Sequence, residues 1–140
     1  MYNSRISGLG MYVPENIVSN DDLSKIMDTS NEWIIERTGI HERRHIKKGD
    51  GNSTVLMGVK AAKIAIERAG IDKDDIDLIL FATLSPDYYF PGSGVLAQEE
   101  LDIPTCPAMD IRNQCSGFIY AISTADQFIK SGMYNNILVI

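Results

Sequence analysis

Apolar residues recur along this chain with two different periods, and the switching between them predicts its elements. From Ser53 onward, Val55, Val59, Ala62, Ile66 and Ala69 fall three and four apart. That spacing draws one stripe down an amphipathic helix. Ser53 is placed to cap it and Gly70 to end it. Leu78 to Ala82 is different, a continuous apolar run of the kind found in strands covered on both faces. A loop rich in proline and glycine follows, Ser85 to Gly94, then a helix through Val95 to Leu101. Thr105 to Ile111 reads as a strand. The segment from Cys115 to Ser131 reads as a helix with Phe118, Ile122, Ala125 and Ile129 on one side, ended by Gly132. Asn136 to Ile140 begins another strand, apolar enough to be a central one.

The first third of the chain is more punctuated. Ser4 to Val13 predicts a short strand stopped by Pro14. Asn20, Asp21 and Asp22 offer caps for a helix through Met27, and Asp28, Thr29 and Ser30 cap a second over Asn31 to Arg37, stopped by Gly39. Ile40 to Ile46 is expected to be extended, and Lys47 to Asn52 to form a polar loop. Strands alternating with helices imply an α/β fold, a mixed and mostly parallel sheet with covering helices. Ending on an apolar strand, residues 1–140 are expected to be the N-terminal part of something larger.

Composition narrows the functions. A chain of 140 residues can build one real core, and 44% hydrophobic content is globular. The net charge of −6 opposes nucleic acid and anionic lipid, so neither is an expected partner. No apolar run approaches the ~20 residues that a bilayer-spanning helix requires. The start, MYNSRISGLGMYVPE, lacks a basic region followed by an apolar one, so a cytoplasmic chain is expected, where disulfides are rare. The two cysteines, Cys106 and Cys115, are nine apart and lack zinc-site spacing; the two histidines add no ligand pattern, so no metal is expected.

Packing or chemistry then remains for each thiol. Cys115 sits where a strand gives way to a helix. Free N–H groups and the positive end of the helix dipole favour an anion there, and such a position lowers a thiol pKa. Gly117 leaves room for close approach. Buried, unreactive cysteine is equally compatible with the pattern. Cys106, at the head of an apolar strand before Pro107, reads as a small packed residue. His41 and His45, within HERRHIKK, read as surface histidines rather than a base for Cys115.

Three stretches carry a resemblance: DTSNEWIIERTGIHERR (28–44), LILFATLSPDYYFPGSGVLAQEEL (78–101) and CPAMDIRNQCSGFIYAISTADQFIKSG (106–132). They resemble the beta-ketoacyl-acyl carrier protein synthase III family, of thiolase-like fold, in order and at family spacing. The resemblance implies an acyltransferase that condenses an acyl group from acyl-coenzyme A with malonyl-acyl carrier protein and so starts fatty acid synthesis. It implies that Cys115 is the nucleophile that carries the acyl group, with its backbone N–H in the oxyanion hole. It implies that Trp33 and Arg37 sandwich the adenine of coenzyme A with Thr29 as a further contact, and that Phe90 reaches across a homodimer to wall the partner's acyl pocket. Coenzyme A is then a substrate carrier, and no resident cofactor is expected. Planar indole and guanidinium groups suit stacking on a base.

The family's catalytic histidine and asparagine come from its second half, so this chain alone is expected to be inactive. Asn113 and Gln114 stand where many members have small residues, and Gly92 and Gly94 where the family often has serine, threonine or alanine. These departures bear on the acyl group accepted. A specialised condensing enzyme of the same fold, a 3-hydroxy-3-methylglutaryl-type synthase and a non-catalytic assembly module remain alternatives. The basic group Arg43, Arg44, Lys47 and Lys48 reads as a solvated face, or else as a contact for the acidic carrier protein or the coenzyme phosphates.

Overall fold

The computed structural model describes residues 2–103 and 106–140. They form two compact units, Val13–Asn52 and a second that joins the segment before it to Ser53–Ile140. In the smaller unit, strand β1 (Ile17–Ser19) pairs antiparallel with β2 (Glu42–Arg44). Between them lie helices α1 (Asn20–Ser24) and α2 (Asn31–Thr38). The cap of α1 is Ser19 rather than the predicted Asn20–Asp22. Its hydroxyl accepts from the Asp22 N–H while the Asp22 carboxylate accepts from the Ser19 N–H, a reciprocal box. Asn20 is freed from capping and buried instead. It donates to Asn31 Oδ1 (3.0 Å) and the Ile40 carbonyl (2.8 Å) and accepts from Arg43 (2.6 Å). Ser30 caps α2 as expected, and Gly39 ends it with φ 68°.

The larger unit contains α3 (Thr54–Ala69), β3 (Leu78–Ala82), α4 (Ser93–Glu100), β4 (Ala108–Ile111), α5 (Gly117–Lys130) and β5 (Ile137–Val139). The strands form a parallel sheet in the order β4-β3-β5. Strand β3 is central, and its alternate side chains serve two cores. Ile79 and Phe81 pack with Val55, Val59 and Ala62 of α3 and Ala97 of α4. Leu78 and Leu80 pack with Ala121 and Ala125 of α5. The predicted stripe of α3 is thus its buried face, apart from Ala69 at its end.

Several expectations change. Ser4 to Val13 contains no assigned strand. A Cβ on Gly8 would run into the Ala65 carbonyl oxygen and one on Gly10 into that of Ala61. The segment therefore lies against the backbone of α3, and Leu9 gives its carbonyl to Arg68 (2.9 Å) instead of a ladder. Among the described residues strand β5 lies at one side of the sheet, beside β3. Strand β4 starts at Ala108; Cys106 and Pro107 precede it, and Thr105 lies outside the described residues. On α5 the fully buried face is Ala121 and Ala125, while Phe118, Ile122 and Ile129 face a cavity of about 760 Å³. That cavity is bounded by Ser4–Gly10, α3 and β5. Among the described residues no helix is long and apolar enough to cross a membrane.

Leu80 has no exposed surface. Leu80→Ala should cost about 3 kcal/mol, transfer loss plus the cavity left behind, and urea unfolding should show it as a lower midpoint at unchanged slope.

Candidate functional site

Cys115 lies in the turn between β4 and α5, two residues before the helix begins, rather than inside the helix as predicted. The Asn113 N–H bonds back to the Ile111 carbonyl (3.2 Å), and the Gly117 N–H donates to the Gln114 carbonyl (2.9 Å). This closes the chain around the cysteine and exposes it. Among the described residues no acceptor takes the Cys115 backbone N–H. Nothing caps the start of α5 with a side chain either, so its N-terminal donors other than the Gly117 N–H remain available to an anion. The packed reading of Cys115 is set aside by its exposure. Cys106 fits the opposite description. It is half-buried, with Sγ 3.7 Å from Gln98 Nε2. Burial, and secondarily the charge of Asp77, pushes its thiol pKa up.

Phe90 sits in the loop after β3. It is 89% exposed, with Tyr88 and Tyr89 also exposed. Both ends of that loop are tied by carboxylates. Asp87 accepts from the Thr54 and Val55 N–H groups, 2.9 Å each, at the start of α3. At the other end Asp110 of β4 accepts from the Ser93 N–H (2.8 Å) and the Gly94 N–H (2.7 Å), and so caps α4 from a neighbouring strand. This explains the two glycines. A Cβ on Gly92 would lie 2.9 Å from Asp110 Oδ2, and one on Gly94 3.1 Å from Oδ1. Gly92 also has φ 111°, which other residues rarely adopt. Arg112 completes the arrangement. Its guanidinium pairs with Asp110 Oδ2 (3.3 Å), donates to the Tyr89 carbonyl (3.3 Å) and lies 5.3 Å from the Tyr89 ring centroid.

The smaller unit holds the other candidates. Trp33 is 53% exposed, so it is not a core residue. Arg37, one turn along α2, places its guanidinium carbon 4.8 Å from the indole centroid. The pair forms an accessible cation–π platform. Thr29 Oγ1 is shielded and lacks a hydrogen-bond partner among the described residues. His41 and His45 are exposed. Arg43 is not part of a solvated face, because it donates to Val18 O and to buried Asn20; Arg44 donates to Pro14 O and Glu15 O. The structure thus groups Trp33, Arg37 and Thr29 in one unit and Cys115 and Phe90 in the other. Asp87, Asp110 and Arg112 were missed. The positions of Asp110 and Arg112 just before the cysteine were a signal, but only the folded chain shows the donors they meet. Neither Cys115 nor Phe90 lines the 760 Å³ cavity, and no cluster of potential metal ligands occurs among the described residues.

Comparison with known proteins places this geometry in context. The family model for 3-oxoacyl-[acyl-carrier-protein (ACP)] synthase III matches residues 109–140, which include Cys115. The beta-ketoacyl-[acyl-carrier-protein] synthase III of Aliivibrio fischeri is 53% identical over 137 residues, 98% of this chain and 43% of the relative. That of Chlamydia caviae is 50% identical over 131 residues, 94% of this chain and 38% of the relative. The crystal structure of 3-oxoacyl-[acyl-carrier-protein] synthase III from Aquifex aeolicus superposes with a TM-score of 0.91 at 47% identity, covering 96% of this chain and 43% of that one. The priming beta-ketosynthase of the R1128 polyketide pathway superposes with a TM-score of 0.92 at 34% identity, over 99% of this chain and 41% of that one. The chain therefore spans less than half the length of the relatives it matches. The fold is the α/β, thiolase-like fold of these condensing enzymes.

At Asp87, burial opposes ionisation, but the Val55 N–H, the Ser53 hydroxyl and the Thr54 donors outweigh it and hold the carboxyl below its ordinary 3.8. The ionised form is the one these donors stabilise. Its contribution is complete above 3.8 and is lost as pH falls through the lowered native value. The Thr54 and Val55 amide proton shifts, followed by NMR, should titrate with a midpoint below 3.8, and Asp87→Asn should abolish the titration.

Proposed function

On the premise that this chain corresponds to part of a beta-ketoacyl-[acyl-carrier-protein] synthase III, we propose that it is the N-terminal part of an acyltransferase that uses Cys115 to carry an acyl group. The observation that supports this most directly is the exposed Cys115 at the β4–α5 turn, with its own N–H unclaimed, within a chain 53% identical to such a synthase. In this reading the Cys115 thiolate attacks the thioester carbonyl of an acyl-coenzyme A. A C–S bond to Cys115 forms, the C–S bond to coenzyme A breaks, and coenzyme A leaves as the thiol by taking up the proton that the Cys115 thiol gave up. The Cys115 N–H stabilises the oxyanion of the intermediate. The acyl group then passes to malonyl-acyl carrier protein, with loss of carbon dioxide, to give the 3-oxoacyl product.

That second step needs the family's histidine and asparagine, which lie outside these 140 residues. Trp33 and Arg37 are read as the platform for the adenine of coenzyme A; they stack on each other at 4.8 Å, so holding a base between them requires Arg37 to swing off the indole. Thr29, whose hydroxyl has no partner among the described residues, is read as a further polar contact. Phe90, exposed on a loop fixed at both ends, is read as the residue that walls the acyl pocket of a second copy. The partners are acyl-coenzyme A, the acyl carrier protein and that second copy. The location is cytoplasmic, and no resident cofactor takes part.

A second reading, the priming step of a specialised pathway, is favoured by the similarity to a polyketide priming ketosynthase and by the bulky Asn113-Gln114 before the cysteine. Product analysis with malonyl-acyl carrier protein and a series of acyl-coenzyme A primers separates the two by the primer preferred.

The full-length protein carrying this sequence should take a radiolabelled acetyl group from acetyl-coenzyme A, in a form released by hydroxylamine. Cys115→Ala should abolish the label, and label persisting in that variant would remove Cys115 from its role. Trp33→Ala should raise KM for acetyl-coenzyme A by about ten-fold with little change in kcat, in keeping with the loss of one base–aromatic stack.

A further inference from the structure

We propose that Arg112 is a positioning residue that latches the Tyr88–Phe90 loop to the end of the strand leading to Cys115, and through that loop sets which acyl groups are accepted. The first part stands on the geometry of this chain. The second rests on the function proposed above.

The latch has three contacts, one to Asp110 and two to Tyr89. The guanidinium of Arg112 meets Asp110 Oδ2 at 3.3 Å, donates to the Tyr89 carbonyl at 3.3 Å and lies over the Tyr89 ring at 5.3 Å. Asp110 is itself immobilised. Its side chain is 15% exposed and both of its oxygens accept from the first N–H groups of α4. The Arg112 fork therefore has a fixed anchor on one side and a loop backbone on the other. Arginine suits this role because a planar fork can bond a carboxylate and a carbonyl while stacking on a ring; the ammonium group of lysine cannot do all three.

The loop needs such a hold. Tyr88, Tyr89 and Phe90 are 64%, 84% and 89% exposed, so no core contact fixes them. Asp87 restrains the loop only at its near end, by the Thr54 and Val55 N–H groups. Asp110, through Gly94 and Ser93, restrains it beyond Pro91. Arg112 is the group that reaches the aromatic stretch itself. It is also three residues before Cys115 in the chain, so the same short segment carries the nucleophile and holds the loop. A change at residue 112 would then move the Phe90 ring relative to the acyl pocket it is read to wall, without touching the thiol.

Two measurements test this on Arg112→Ala and Arg112→Lys. The first needs no enzyme activity. Chymotrypsin under native conditions should cleave after Tyr88 and Tyr89 about ten-fold faster in Arg112→Ala, with cleavage elsewhere and the unfolding midpoint unchanged, because local opening sets the rate. Arg112→Lys should fall between. Equal cleavage rates in all three proteins, at equal unfolding midpoints, would overturn the latch. The second is the ratio of Cys115 acylation rates from hexanoyl- and acetyl-coenzyme A in the full-length protein. Arg112→Ala should change that ratio at least about five-fold, the scale on which pocket shape discriminates acyl chains. A general lesion would slow both donors alike and leave the ratio unchanged, which would overturn the specificity role. If the unmodified protein takes no acyl group from either donor, the function proposed above fails, and with it the specificity role, while cleavage alone decides the latch.

Discussion

Strand β3 is the element on which the larger unit depends. Five consecutive apolar residues, Leu78–Ala82, have no polar face to give to solvent. Such a strand is stable only when both faces are covered, and the covering consists of α3 and α4 on one side and α5 on the other. Its parallel neighbours β4 and β5 follow from that arrangement, because a helix between parallel strands packs back onto the sheet. The turn that presents Cys115 is the exit from β4 into α5, so the position of the thiol follows from the burial of β3, the strand beside β4.

A second constraint acts at that end of the sheet. The carboxylate of Asp110 replaces the side-chain cap that α4 lacks, since Gly92 has none to offer. A strand residue capping a neighbouring helix ties two layers together by charge-assisted hydrogen bonds. It also explains why Gly92 and Gly94 carry no side chain, for the carboxylate occupies that space. Asp87 makes the equivalent tie to α3. The result is an aromatic loop fixed at its ends and exposed in its middle, a form suited to contact with a partner rather than to core packing.

Much of this was legible in the residues. The stripe of α3, its cap at Ser53, the double burial of β3 and the cap and stop of α2 all rest on local chemistry, and they appear where the pattern placed them. Errors fell where a tertiary contact overrode a local preference. Ser4 to Val13 alternates well enough for a strand, yet Gly8 and Gly10 let it lie against α3, and an arginine takes the Leu9 carbonyl. Phe118, Ile122, Ala125 and Ile129 form a sound helical stripe, but of these the sheet takes Ala125 alone, together with Ala121, whose small side chains allow closer approach. Arg43 resembled a surface charge because nothing local marks Asn20 as its buried acceptor.

By itself, then, the sequence determined the alternation of elements, the parallel sheet and the placement of Cys115 at a strand-to-helix junction, because caps, periodicity and apolar runs act over a few residues. Its motifs also singled out Trp33, Arg37, Thr29 and Phe90. Only the tertiary structure decided that Cys115 is exposed and Cys106 is not, that Trp33 and Arg37 stack, and that Asp110 and Arg112 hold the loop of Phe90. Each of these depends on which donors and acceptors meet across elements distant in the chain, and hydrogen-bond distance is a property of the packed fold rather than of spacing along it.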